Sequence, residues 1–155
     1  MTATLPLTGE ILDVFVPGKP IAQGSKTLVA YRGPNGRMRV TMRESAKHLA
    51  SWRELIAYTA RQAYGARPLI PRDVPVTLDL EFVLPRPASA PKRRTPPAVK
   101  QPDLDKITRA VGDALTHVVY SDDSQVTELH ARKRVAELNE PPGVHIRLTL
   151  GDSRG

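Results

Sequence analysis

From Val76 to Leu84 the chain alternates: Val76, Leu78, Leu80, Phe82 and Leu84 are apolar, and Asp79 and Glu81 fall between them. A period of two sends one set of side chains to each face of a pleated strand, so this segment reads as a strand with one face buried and one wet. Such a face needs a covering layer. Two amphipathic helices supply it. From Arg43 to about Tyr64, Ala46, Leu49, Trp52, Ile56, Ala60 and Ala63 recur every three or four residues. From about Leu104 to Val118, Leu104, Ile107, Val111, Ala114 and Val118 do the same. Both stripes fit the period of 3.6. Further strands are expected at 10–17, 125–136 and 143–150, the last alternating Val144, Ile146, Leu148 and Leu150. Residues 27–31 and 37–42 flank GPNG and read as a hairpin. The expected fold class is α/β: a mixed, mainly antiparallel sheet with two helices packed on it.

A chain of 155 residues suits one domain, here 1–155, with 151–155 as a flexible tail. It contains no cysteine, which excludes disulfides, thiolate metal sites and a cysteine nucleophile, and fits a reducing cytoplasm. No apolar run approaches the roughly 20 residues of a membrane span, and MTATLPLTGE lacks the pattern of a secretory signal. The net charge is +7 and the pI about 10.1, which favours a polyanionic partner. Aromatic residues are only 5 %, too few for the stacking platform of an RNA-binding module. Residues 85–102, PRPASAPKRRTPPAVKQP, carry six prolines, five basic residues and no acid. They read as an extended basic loop, at 86–101, or as a solvated linker.

The acids concentrate in PDLDKITRAVGDALTHVVYSDDSQV, residues 102–126. Asp103 and Asp105 open the second helix, Asp113 lies near its end, and Asp122 and Asp123 occupy the loop that follows. The two groups stand about 20–25 Å apart if the helix is continuous, so a joint site requires the loop to fold back toward the helix start. Clustered carboxylates repel unless a cation neutralises them, and Mg²⁺ takes such oxygen ligands while keeping several waters. Asp105, Arg109, Gly112, Asp113 and Thr116 share the polar side of the helix, with Lys106 beside them, so cations and acids face the same way. Each acid also has an ordinary reading. Asp103 or Asp105 suits an N-cap, Asp122 and Asp123 suit a turn, and Arg109 with Asp113 suits a surface ion pair. Both sets of readings stand on the residues alone. Nothing in the chain has the pattern of a phosphate-cradling glycine loop, a serine triad or a zinc finger.

The order of these pieces resembles the RusA family of Holliday junction resolvases. It is a strand ending in proline, a basic loop, PDLDKITRAVGDAL (102–115) and SDDSQV (121–126). The likeness covers about 75–136 well and extends loosely to the GKP loop and the first helix. It implies a RusA-like homodimer that uses Mg²⁺, with Mn²⁺ as a substitute, to cut four-way DNA junctions by paired symmetric nicks in recombination and repair. It implies catalytic and metal-binding roles for Asp103, Asp105 and Asp123, with Lys106, Asp113 and Asp122 in support. The family's catalytic lysine falls on Arg109, which keeps the charge and grips phosphate but cannot donate a proton at neutral pH. DNA contacts are then expected from Arg86, Lys92, Arg93, Arg94 and Lys100 in the loop, from Arg132 and Arg134 on a later strand, and from Lys19, Lys26 and Arg32 near the start. Glu128 and His130 are expected to flank the site. The alternatives are a nuclease for flaps or other branched DNA, and a junction-binding protein that does not cut.

Overall fold

The computed structural model describes residues 9–23, 28–32, 36, 38–42 and 45–151, with the backbone alone for 28–32, 38–42 and 45–47. In chain order the elements are β1 (Gly9–Pro17), β2 (Leu28–Arg32), β3 (Met38–Met42), α1 (Ser45–Tyr64), β4 (Val76–Leu84), α2 (Leu104–Leu115), a 3-10 turn (Asp123–Gln125), β5 (Val126–Val135) and β6 (Gly143–Leu150). β2 and β3 form the antiparallel hairpin expected around GPNG. The other four strands make one sheet in the order β1-β6-β4-β5. β6 runs antiparallel to both β1 and β4, whereas β4 and β5 are parallel. The fold is therefore the α/β class expected, with a mixed, mainly antiparallel sheet and two helices.

The parallel pair decides where the chemistry sits. Parallel neighbours need a crossover connection, and here it contains α2. The chain leaves β4, passes through the proline-rich loop, returns along α2 and enters β5. The start of α2 thus follows the exit of β4, and its end leads to the entry of β5. Asp103 and Asp123 lie on opposite sides of that return.

One core cluster lies between the helices and the inner sheet face. β4 buries Val76, Leu78, Leu80, Phe82 and Leu84, each at most 7 % exposed, as the alternation requires. α2 buries Ile107, Ala110, Val111, Ala114 and Leu115. α1 buries Trp52, Ile56, Ala60 and Tyr64. Ala63, expected in that stripe, is exposed, and Tyr64 takes its place with its hydroxyl donating to the Pro68 carbonyl at 2.5 Å. α2 also ends three residues before Val118. The chain turns there because His117 adopts φ 65° and its amide bonds to the Tyr120 carbonyl at 2.8 Å. Tyr120 and Thr116 both donate to the Gly112 carbonyl, at 2.6 and 3.0 Å, which fastens the turn to the helix. Among the described residues no helix is long and apolar enough to cross a membrane. Of the tail expected at 151–155, residues 152–155 lie outside the described residues.

Candidate active site

The polar side of α2 carries the acids. Asp103 is the N-cap residue, with φ −69° and ψ 135°, yet its side chain accepts no capping hydrogen bond. Its carboxylate instead lies 3.5 Å from the Lys106 ammonium. Asp105 follows in the first turn and is exposed. Arg109 is exposed one turn further along and has no acid within ion-pair distance among the described residues, so the expected pair with Asp113 is not made. Asp113 accepts from the Gln23 side-chain amide instead. Gln23 is held in place by its own backbone amide, which donates to the Lys106 carbonyl at 3.1 Å. The loop after β1 therefore runs along α2 and ties its first turn to its last.

Asp122 and Asp123 are adjacent but have different fates. Asp122 caps the 3-10 turn by accepting from the Ser124 amide at 2.9 Å. Gln125 reciprocates, its side-chain oxygen accepting from the amides of Ser121 and Asp122 at 2.9 and 3.0 Å. Its amide group reaches the carbonyls of Pro71 and Val74, at 2.6 and 3.1 Å, so this buried glutamine locks the turn to the segment before β4. The hydrogen bonds from Ser124 hold the Asp122 carboxyl below its ordinary range. Asp123, though exposed, is pushed the other way, first by the loss of some hydration at its carboxyl, then by the charges of Asp113 and Asp122 beside it. Like charges beside it favour a proton or a cation at this carboxyl. Tyr120, raised by its own burial and then by these acids, stays a neutral phenol beneath them.

The carboxylates thus form two groups, one at each end of α2. Asp103 and Asp105 stand at its start; Asp113, Asp123 and Asp122 gather at its end. From Asp105 to Asp113 is about 12 Å along the axis at 1.5 Å per residue. Among the described residues no three acids or histidines close around a common point that would hold a metal ion. The chemistry of the donors still suits a hard divalent cation. All are carboxylate oxygens, each group offers at least two, and Mg²⁺ is commonly held by one or two carboxylates with water and phosphate completing its shell.

The basic residues separate by what their side chains already do. Arg86 is used within the protein: its guanidinium donates to Thr95 Oγ1 at 2.9 Å, to the Arg94 and Ala136 carbonyls at 2.7 and 3.1 Å, and to the Pro91 carbonyl. It staples the proline-rich loop into a fixed shape, so the linker alternative does not hold. Lys92, Arg93, Arg94 and Lys100 are left exposed on that loop. Arg132 and Arg134 lie on the outer sheet face, opposite α2, and are committed to acids. Arg134 grips Glu140 with two hydrogen bonds, at 2.6 and 2.7 Å, and holds its carboxyl down to about 2. Glu128 and His130, expected to flank the site, pair with each other on that same outer face. A concavity of about 560 Å³ lies there, lined by Asp13, Asp79, Glu81 and Arg147 among others, but Asp13 and Glu81 are already paired with arginines. Asp79, the third acid of that concavity, has no ion pair among the described residues; on the α2 side the same holds for Asp105 and Asp123. There, Lys19 joins Asp103 and Lys106 around a hollow of about 260 Å³. Lys26 lies outside the described residues, and of Arg32 only the backbone is described.

Three residues that shape the site carried no assignment from sequence. Gln23 sat in a stretch legible only as a loop. Gln125 belongs to the SDDSQV motif, yet its work depends on carbonyls about fifty residues away. Lys133 had a signal: it falls on the inward phase of β5, with Leu129 and Ala131, where a charge is out of pattern. Its ammonium donates to the carbonyls of Lys100 and Pro102, both at 2.8 Å.

The chain is similar to known proteins over most of its length. The family model described as Endodeoxyribonuclease RusA matches residues 17–149. The chain is also similar to an uncharacterized protein, YqaN, of Bacillus subtilis (strain 168), at 34 % identity over 137 residues, which span 83 % of this chain and 90 % of that protein.

Proposed function

Because this chain belongs to the RusA endodeoxyribonuclease family, we propose that it cuts branched DNA with a divalent cation, resolving four-way junctions by paired nicks as a homodimer in recombination and repair. Asp103, Asp105 and Asp123 are the catalytic carboxylates of this reading, with Asp113 beside Asp123. The observation that carries it is how the acids divide. Asp122 has a structural task, as a cap. Asp103 stands at a cap position without capping, Asp105 is exposed, and Asp123 is pressed against like charge. Acids that take no cap bond, Asp103 with its lysine neighbour among them, suit a cation and a phosphate on a basic protein.

The residues would then divide the work. Mg²⁺, or Mn²⁺ in its place, would polarise the phosphodiester and activate water when bound. Asp103 and Asp105 would hold a cation at the start of α2, and Asp123 with Asp113 beside it would hold one at its end, through their carboxylate oxygens. Arg109, exposed between the two acid groups, would grip the phosphate and balance its growing charge; proton donation is outside its chemistry at neutral pH. Lys19 and Lys106 would draw the backbone toward Asp103. Lys92, Arg93, Arg94 and Lys100 would hold an arm of the junction through its phosphates. A DNA strand laid along α2 meets both acid groups in turn. Two-fold pairing of protomers would supply one such face to each strand that is cut.

Incubation with Mg²⁺ and a panel of end-labelled four-way junctions, flaps, forks and linear duplex tests the reading. Symmetric nicks in the four-way junction, absent with chelator, support it. Cleavage confined to flaps or forks would move the substrate. Tight junction binding with no cleavage in Mg²⁺ or Mn²⁺ would make the protein a binding module.

A further inference from the structure

We propose that Lys133 is a positioning residue for the Asp103 end of the site: it grips the chain just before α2 so that Asp103 stands at the cap position with its carboxylate unused by the helix. This rests on the reading of Asp103 as a catalytic acid. Lys133 pairs in register with Phe82 on the inner face of the sheet, at its edge strand. Its side chain is half-buried, its stem covering apolar surface in the manner of long basic residues. An ammonium in such a place needs partners, and among the described residues none is an acid. Both partners are main-chain carbonyls, Lys100 O and Pro102 O, each 2.8 Å away. Charge-assisted bonds of this kind are among the stronger ones available.

The position of those carbonyls gives the contact its consequence. They are two residues apart, so one ammonium holds a short arc of chain that ends at Asp103. The Pro102 carbonyl belongs to the same peptide unit as the Asp103 amide. Peptide units are planar, so fixing one fixes the other and the direction in which Asp103 enters the helix. An aspartate at an N-cap ordinarily turns its carboxylate back onto the amides of the first turn. Asp103 does not. With the preceding peptide held from below by β5, its carboxylate is left for Lys106 and for a ligand outside the protein. Lys133 also ties the exit of the basic loop to β5, the strand that Asp123 leads into, so both acid groups are referred to one strand.

Two measurements on Lys133→Met and Lys133→Arg test this. The first needs no activity. Asp103→Ala is made in the wild-type and the Lys133→Met backgrounds, and each pair is compared by its urea midpoint. With Lys133 present the alanine should leave the midpoint unchanged. With Lys133→Met, Asp103 is released to cap the helix, so its removal should lower the midpoint. Equal shifts in both backgrounds overturn the proposal. The second is single-turnover cleavage of a four-way junction. Lys133→Met should cut at least about tenfold slower, as expected for a displaced reactive group, with junction affinity unchanged and with the rate restored by Lys133→Arg. A wild-type rate in Lys133→Met overturns the proposal. Should the wild-type protein itself cut nothing, the catalytic reading of Asp103 fails, and the urea comparison still decides whether Lys133 sets its orientation.

Discussion

Two aspartates at cap positions should respond in opposite ways to removal. Asp122 accepts the Ser124 amide at 2.9 Å and is half of a reciprocal capping box with Gln125. Losing such a cap costs about 0.5–2 kcal/mol, typically near 1. Asp103 occupies the N-cap of α2 with no cap bond to lose. Asp122→Ala should therefore lower stability by about 1 kcal/mol, a fall in Tm of roughly 2–4 °C for a chain of this size. Asp103→Ala should stay within about 0.5 kcal/mol of the wild type. Cleavage of a four-way junction should rank them in reverse, with Asp103→Ala inactive and Asp122→Ala cutting within several-fold of normal. Urea unfolding and a gel assay on the same preparations give both numbers. Equal destabilisation by the two alanines would refute the reasoning, because Asp103 would then be an ordinary cap.

Other substitutions probe separate parts of the account. Asp123 has a raised folded-state pKa, so the stability it contributes is present at low pH and lost as pH rises through that value. Its ionised form opposes folding at neutral pH. Asp123→Asn should accordingly raise Tm at pH 7.5 without divalent ions and shrink the further rise that Mg²⁺ gives the wild type, as scanning calorimetry would show. Replacing Lys92, Arg93 and Arg94 together with alanine should flatten the dependence of log K on log salt by up to about 2.7, three phosphate contacts at about 0.9 each; fluorescence anisotropy at several salt concentrations would show an unchanged slope if the loop misses DNA. A Cβ at Gly143 would stand 2.3 Å from the Val16 carbonyl and 2.5 Å from the Phe15 ring. Gly143→Ala should therefore part β1 from β6 at a cost of about 1–3 kcal/mol, read by urea unfolding.

What was legible in the sequence follows from what repeats locally. β4 shows itself because its alternation is nearly unbroken, and α2 because its stripe and its polar side both hold the helical period. The acids declare themselves as a set by their spacing. Their relation in space does not follow from spacing, since it depends on β5 lying parallel to β4. That pairing makes α2 a crossover and keeps Asp103 and Asp105 apart from Asp113 and Asp123. Arg86 looked like a DNA contact because a basic loop hides which of its cations face inward, and only the fold brings the carbonyls of Pro91, Arg94 and Ala136 around it. Arg132 and Arg134 share that ambiguity. Strand phase puts them on one face, but the covering of the other face by α2 decides which face that is.

The central claim is that the acids along α2 that take no cap bond bind a divalent cation. Titration calorimetry with Mn²⁺ tests it without DNA. The account predicts that the wild-type protein binds Mn²⁺, that Asp122→Ala binds it comparably, and that Asp103→Asn, Asp105→Asn and Asp123→Asn each bind it at least tenfold more weakly, an expected loss of about 1.4 kcal/mol or more. Undiminished binding in all three asparagine variants, or no binding by the wild type, would contradict it.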